Sequence, residues 1–190
     1  MMSIPAVFLD RDGTLIKEVG YLNRLDRVEF FPWTIDAIRV LNRAGFRVIV
    51  VTNQAGVARG YFDEALVQAT HGFIDERVRA GGAAIDAYYY CPHHPEASVA
   101  AYRDACDCRK PLPGMIRRAE RELGIDAARS FVVGDRWMDV EFGHAAGARA
   151  ILVRSGYGTG EEPRAEGAPR ADAVVANLMD AVSWILMNRG

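Results

Sequence analysis

Two aspartates, Asp10 and Asp12, stand one residue apart where an apolar run ends, in AVFLDRDGTLI over residues 6–16. Carboxylates this close repel each other, and a place beside a buried strand adds a desolvation cost, so a bound cation is the expected compensation. Thr52, Lys110 and Asp135 complete a set that can carry phosphoryl transfer. Asp10 can attack phosphorus and form an acyl phosphate. Because an anion then approaches an anion, substrate charge must be neutralised, a task suited to Mg2+ held by Asp10 and Asp135. Asp12 can protonate the leaving oxygen and then deprotonate the water that hydrolyses the intermediate. Thr52 and Lys110 can bind the phosphoryl oxygens, where charge shifts in the transition state.

A second cluster has softer chemistry. The chain has three cysteines, in CPHHP and CDC: Cys91, Cys106 and Cys108. An odd number so closely spaced makes a poor disulfide framework and a good Zn2+ site. Cys91-x-His93, then twelve residues, then Cys106-x-Cys108 gives a closed, structural Cys3His set. His94 competes with His93 for the fourth position on spacing alone. His71 and His144 fall in helical patterns and read as ordinary helix residues.

These groups need elements that bring them together. Apolar runs at 6–10, 46–52, 85–91, 130–135 and 148–153 read as buried strands, with an edge strand at 171–177. Helical patterns fall at 32–45, 63–82, 113–124, 137–146 and 178–188. Alternating strands and helices with continuously apolar strands predict an α/β fold: a doubly wound, mainly parallel Rossmann-like sheet with helices on both faces. In such sheets ligands sit beyond the carboxyl ends of the strands. Asp10, Asp12, Thr52, Asn53, Gln54 and Asp135 all fall at that edge, and Arg109 and Lys110 follow the third strand. Asp135 also stands where a helix N-cap would, directly before a helix.

A chain of 190 residues suits a single domain, 1–190, with an irregular zinc loop over about 91–111. About twenty residues separate the first acids from the next helix, room for a hairpin-like flap but not a cap domain, so a nearly capless site is expected. Ser155–Arg170 holds four glycines and two prolines and reads as a surface loop. A formal charge of −2 with scattered Lys and Arg argues against a nucleic-acid partner. No run is apolar for long enough to cross a membrane, and the N-terminus lacks a basic, cleavable leader, so cytoplasm is the expected compartment. No apolar stripe calls for a partner chain, and a monomer is expected.

DRDGT with Thr52, Lys110 and GDRWMD (134–139) resembles, in order, the four motifs of haloacid-dehalogenase-type phosphatases. The resemblance implies Asp10 as nucleophile and Asp12 as acid/base. It also implies Mg2+ held by Asp10, by Asp12 through its backbone carbonyl, and by Asp135, with Asp139 behind the ion. Within the superfamily, GYL, VVTNQAGVARGYF, YYYCPHHP and CDCRKPLPGM are similar to the branch that dephosphorylates a heptose bisphosphate in lipopolysaccharide core synthesis. A histidinol-phosphate branch shares the zinc loop. This narrower resemblance covers about residues 6–155, favours His93 as the zinc ligand and implies a small sugar phosphate as substrate. Arg109 would recognise the distal phosphate, Asn53 and Gln54 would line the pocket, and Gly20 and Tyr21 would touch the sugar. Arg136 departs from the pattern, which commonly has Lys after the fourth-motif Asp; the charge survives but the donor geometry differs. A receiver-like signalling domain shares the acid cluster, Thr and Lys. A second acid two residues after the first suits hydrolysis, which a stable phospho-switch would avoid.

Overall fold

The computed structural model describes residues 4–161 and 170–189. Six parallel strands form one sheet: β1 (Ala6–Leu9), β2 (Arg47–Asn53), β3 (Ala87–Cys91), β4 (Phe131–Gly134), β5 (Arg149–Val153) and β6 (Ala173–Val175). Their order is β3-β2-β1-β4-β5-β6, so the chain builds outward from β1 in one direction and then returns to build outward from β4. The switch point falls between β1 and β4, where Val7, Phe8 and Leu9 pair with Phe131, Val132 and Val133. A doubly wound sheet leaves a crevice there, because the loops leaving the two strands diverge to opposite faces.

The six α-helices among the described residues are α1 (Thr34–Arg43), α2 (Ala55–Ala58), α3 (Glu64–Ala80), α4 (Gly114–Leu123), α5 (Trp137–Ala145) and α6 (Leu178–Met187). The five long helices lie inside the expected ranges. The short α2 was not expected; it is a single turn directly after the polar end of β2. Local chemistry sets the boundaries. The Asp63 side chain accepts from the Leu66 N–H and starts α3. Gly124, at φ +66°, ends α4 in the left-handed conformation that favours glycine.

Both faces of the sheet are covered, which is why the strands read as unbroken apolar runs. On one face Val7, Leu9, Val48, Val50, Phe131 and Val133 pack with residues of α1, α3 and α6, including Ile38, Leu41, Ile74 and Ile185. On the other, Phe8, Ile49, Val51, Val132 and Leu152 pack with Met115, Ile116, Val140 and Phe142 of α4 and α5. Between β1 and α1 the chain forms the expected small flap, with an antiparallel bridge from Ile16 to Phe30 and a 3-10 turn at Leu25–Arg27.

Phe131 is fully buried and meets Phe46 and Trp184 edge-on at centroid distances of 5.9 and 6.2 Å. Truncation there removes a ring that joins β4 to α6. Phe131→Ala is expected to cost about 3–5 kcal/mol, read as a lower urea midpoint with an unchanged slope.

Candidate active site

Asp10 follows β1 directly, and its N–H donates to the Val133 carbonyl of β4 at 2.9 Å, which fixes it over the switch point. Lys110 is 3 % exposed despite its charge. Its Nζ donates to Asp10 Oδ1 at 2.6 Å, to Asp139 Oδ1 at 2.6 Å and to the Val51 carbonyl at 3.2 Å. An ammonium has three N–H bonds, so this shell is complete. Burial alone would push Lys110 toward its neutral form, but the two carboxylates outweigh it and raise the pKa above the ordinary lysine value.

The loop carrying Lys110 is pinned to β2 by Asn53. The Asn53 amide donates to the Lys110 carbonyl at 3.2 Å, and its oxygen accepts the Lys110 N–H at 3.0 Å. Asn53 borders the cleft as expected, yet both ends of its amide serve the backbone of Lys110. Gln54 also borders the cleft, and its Nε2 donates to Asp12 Oδ2 at 3.0 Å and to Thr52 Oγ1 at 2.8 Å. Thr52 is buried at the end of β2 and accepts that bond, so its own hydroxyl hydrogen is left to donate.

Asp135 does not cap a helix. Arg136 occupies the N-cap of α5, and Asp139 accepts the Arg136 N–H at 3.1 Å. Asp135 instead accepts the Tyr157 N–H on Oδ2 at 2.7 Å. Gly156, Tyr157, Thr159 and Gly160 are exposed, as the reading of Ser155–Arg170 as a surface loop expects, but the start of the segment is also tied to the site. Its first residues pack onto the site: Ser155 Oγ donates to the Gly13 carbonyl at 2.7 Å, and Gly158 is buried. Residues 162–169 lie outside the described residues. Gly13 (φ +86°) and Gly156 (φ +56°) are needed for this closure, since a Cβ on either would fall 2.1 or 2.2 Å from Asp135 Oδ2.

Asp10, Asp135 and Asp139 each offer a carboxylate oxygen within 4.8 Å of the others, and all three are buried. Burial pushes the Asp10 carboxyl well above the ordinary range, against the pull of Lys110, and the neighbouring acids push the same way. Asp135 is pushed up to about 7, chiefly by burial. Three buried acids against one lysine leave a local deficit of positive charge. An all-oxygen donor set of this kind fits a hard dication such as Mg2+. The Asp12 carboxylate is not part of the cluster; it turns toward Arg11 and Gln54.

The cleft above these groups has a volume of about 330 Å³. Gly20, Tyr21, Arg59, His94, Arg109 and Arg136 border its outer part. Tyr21 meets Tyr61 edge-on at 4.6 Å, and the Arg136 guanidinium lies 4.4 Å over the Tyr157 ring. Arg109 is tied back to the loop that carries the cysteines, where its Nη1 donates to the His93 carbonyl at 3.2 Å.

In that loop Cys91, His93, Cys106 and Cys108 converge within 4.8 Å. Cys106 Sγ lies 3.4 Å from Cys91 Sγ and 3.0 Å from Cys108 Sγ, and His93 Nδ1 lies 3.5 Å from Cys108 Sγ. His94 is directed elsewhere, accepting the Glu96 N–H on Nδ1 at 3.0 Å. The cysteines are free thiols. Burial raises the Cys106 pKa, and hydrogen bonding with Cys91 followed by burial raises that of Cys108. Three crowded sulfurs joined by one imidazole fit the donor set of a structural zinc.

The chain is 44% identical over 179 residues to a Yersinia pestis protein named D-glycero-beta-D-manno-heptose-1,7-bisphosphate 7-phosphatase, covering 94% of this chain and 93% of that one. It belongs to that phosphatase family. The Escherichia coli (strain K12) member is 45% identical over 179 residues, with 94% and 92% of the two chains covered. A solved D,D-heptose 1,7-bisphosphate phosphatase from B. bronchiseptica, complexed with magnesium and phosphate, superposes with a TM-score of 0.86 at 32% identity, covering 97% of this chain and 99% of that one. A HAD-hydrolase-like family model matches residues 107–181.

Sequence reasoning missed several residues. The Tyr157 backbone N–H and Gly156 were hidden in a segment whose glycines suggested a free loop, and Gly13 stood within the first motif without any sign of its contact with Asp135. Arg11 and His71 were passed over, although the arginine lies between the two motif acids. His71 lies on α3 as expected, and it is also buried against Arg11. Gly13→Ala is expected to lower the melting temperature by several degrees, through a strained φ and a displaced Asp135, as measured by thermal unfolding.

Proposed function

We propose that the chain removes the 7-phosphate of D-glycero-β-D-manno-heptose 1,7-bisphosphate through an aspartyl-phosphate on Asp10. The observation that carries this reading is the buried Asp10–Lys110–Asp139 arrangement at the sheet switch point, in a chain whose relatives are named for that reaction. Asp10 Oδ1 is held by Lys110, which leaves Oδ2 to attack phosphorus. As the bond to phosphorus forms, the bond from phosphorus to the sugar oxygen breaks, and Asp12 gives that oxygen a proton. Asp12 then takes a proton from water as the water attacks the phosphoryl group, releasing inorganic phosphate and restoring Asp10.

Thr52 donates to a phosphoryl oxygen, and Lys110 keeps the nucleophile in place while screening its charge. Asp10 and Asp135, with the Asp12 carbonyl, are the proposed holders of Mg2+, and Asp139 orients Lys110 behind them. When bound, the ion supplies charge neutralisation for the approaching phosphate. Cys91, His93, Cys106 and Cys108 hold a structural Zn2+ that orders the loop leading to Arg109, which meets the distal phosphate. Gly20, Tyr21 and Arg136 contact the sugar or its distal phosphate from the rim.

Phosphate release measured with Mg2+ is expected to be much faster on the β-heptose bisphosphate than on histidinol phosphate, and to stop with EDTA. Equal or reversed rates would overturn the substrate assignment. Asp10→Asn is expected to lower turnover by at least on the order of 10³-fold, since an amide is a poor nucleophile. Cys106→Ala is expected to lose about one zinc per chain by elemental analysis, with faster proteolysis within 91–111; unchanged metal content would remove the zinc site.

A further inference from the structure

Arg11 is 1 % exposed and is the largest of the fully buried side chains. Placing a guanidinium there costs several kcal/mol unless its donors are matched, so its partners deserve a chemical explanation. Nε donates to Asp12 Oδ2 at 3.1 Å, while Nη2 donates to Oδ1 at 3.3 Å and lies 3.0 Å from Oδ2. The fork therefore engages both oxygens of the carboxylate, which fixes its plane as well as its position. Gln54, anchored on Thr52, reaches Oδ2 from a second direction.

The far side of the guanidinium meets α3. Nη1 lies 3.4 Å from His71 Nε2. An arginine can only donate, so this imidazole nitrogen accepts and the ring hydrogen sits on Nδ1. His71 is 7 % exposed, and its ring stacks on Tyr88 at 4.7 Å and meets Tyr90 at 5.7 Å. Burial, with Arg11 adding to it, lowers its pKa to about 3. The imidazole is thus a neutral acceptor held rigidly by two rings of β3.

We propose that Arg11, braced by His71, is a positioning residue for Asp12, and that the pair sets the carboxylate in the one orientation from which it can protonate the leaving oxygen. This rests on the reading of Asp12 as acid/base. A lysine at position 11 could not replace it, since a point charge cannot grip both carboxylate oxygens and also meet the imidazole. The chain thus ties its acid/base to α3, on the opposite side of β2 from the lysine loop.

The leaving group separates this role from a structural one. A sugar alkoxide must be protonated as it departs, whereas p-nitrophenolate leaves readily as the anion. The ratio of kcat/KM for the heptose bisphosphate to kcat/KM for p-nitrophenyl phosphate therefore reports proton donation. His71→Phe keeps the ring stack and removes the acceptor; it is expected to lower this ratio about tenfold or more, and His71→Gln, which restores an acceptor, to recover most of it. Arg11→Gln asks the same question from the other end of the pair should His71→Phe fail to fold. Asp12→Asn is the reference. If Asp12→Asn lowers the ratio and neither Arg11→Gln nor His71→Phe does, the positioning role is overturned. If Asp12→Asn leaves the ratio unchanged, the acid/base reading itself fails.

Discussion

A single buried ammonium organises the catalytic end of the sheet. Lys110 joins the loop before α4 to Asp10 after β1, to Asp139 on α5 and to the backbone of β2. A lysine with this little exposure must find an acceptor for each of its hydrogens, so the geometry of three elements is set by one group. Asn53 completes the lock by pairing with both backbone groups of Lys110. Yet the lysine does not balance the charge around it. Asp10 and Asp135 remain carboxyls that burial pushes toward protonation, and a dication is the group that would bring both back to the charged form.

The two proposed metal positions differ in what they demand of the chain. The carboxylate cluster is assembled from β1, β4 and α5, all parts of the sheet and its covering helices, so a rigid scaffold presents it. The thiol cluster lies where the chain has little core of its own: Cys91 ends β3, and the other ligands come from irregular backbone. Such a segment gains most from a metal, because the bound ion replaces the apolar burial it lacks. Rigid sheet and Cys/His loop meet at the cleft, and the flap of residues 13–31 supplies the remaining wall.

Much of this was legible in the residues. The unbroken apolar runs required a sheet covered on both faces, and Asp10, Thr52 and Asp135 could then fall only at one edge of it. The thiol spacing marked the second cluster without help from the fold. What stayed hidden depended on contacts distant in sequence. Nothing local says that Asn53 pairs with the Lys110 backbone, or that His71 lies behind Arg11 sixty positions away. Tyr157 escaped for another reason: it contributes a backbone N–H, which any residue type could supply. Asp135 looked like a helix cap because the following helix does begin within two residues, but Asp139 reaches back to do that work.

Cys108, Arg109 and Lys110 are consecutive. One belongs to the thiol cluster, the next borders the mouth of the cleft, and the third is sealed beneath its floor. Inserting or deleting one residue in this tripeptide would shift all three at once. Across these positions the ruler is fixed, so the two proposed metal sites are displaced together or not at all.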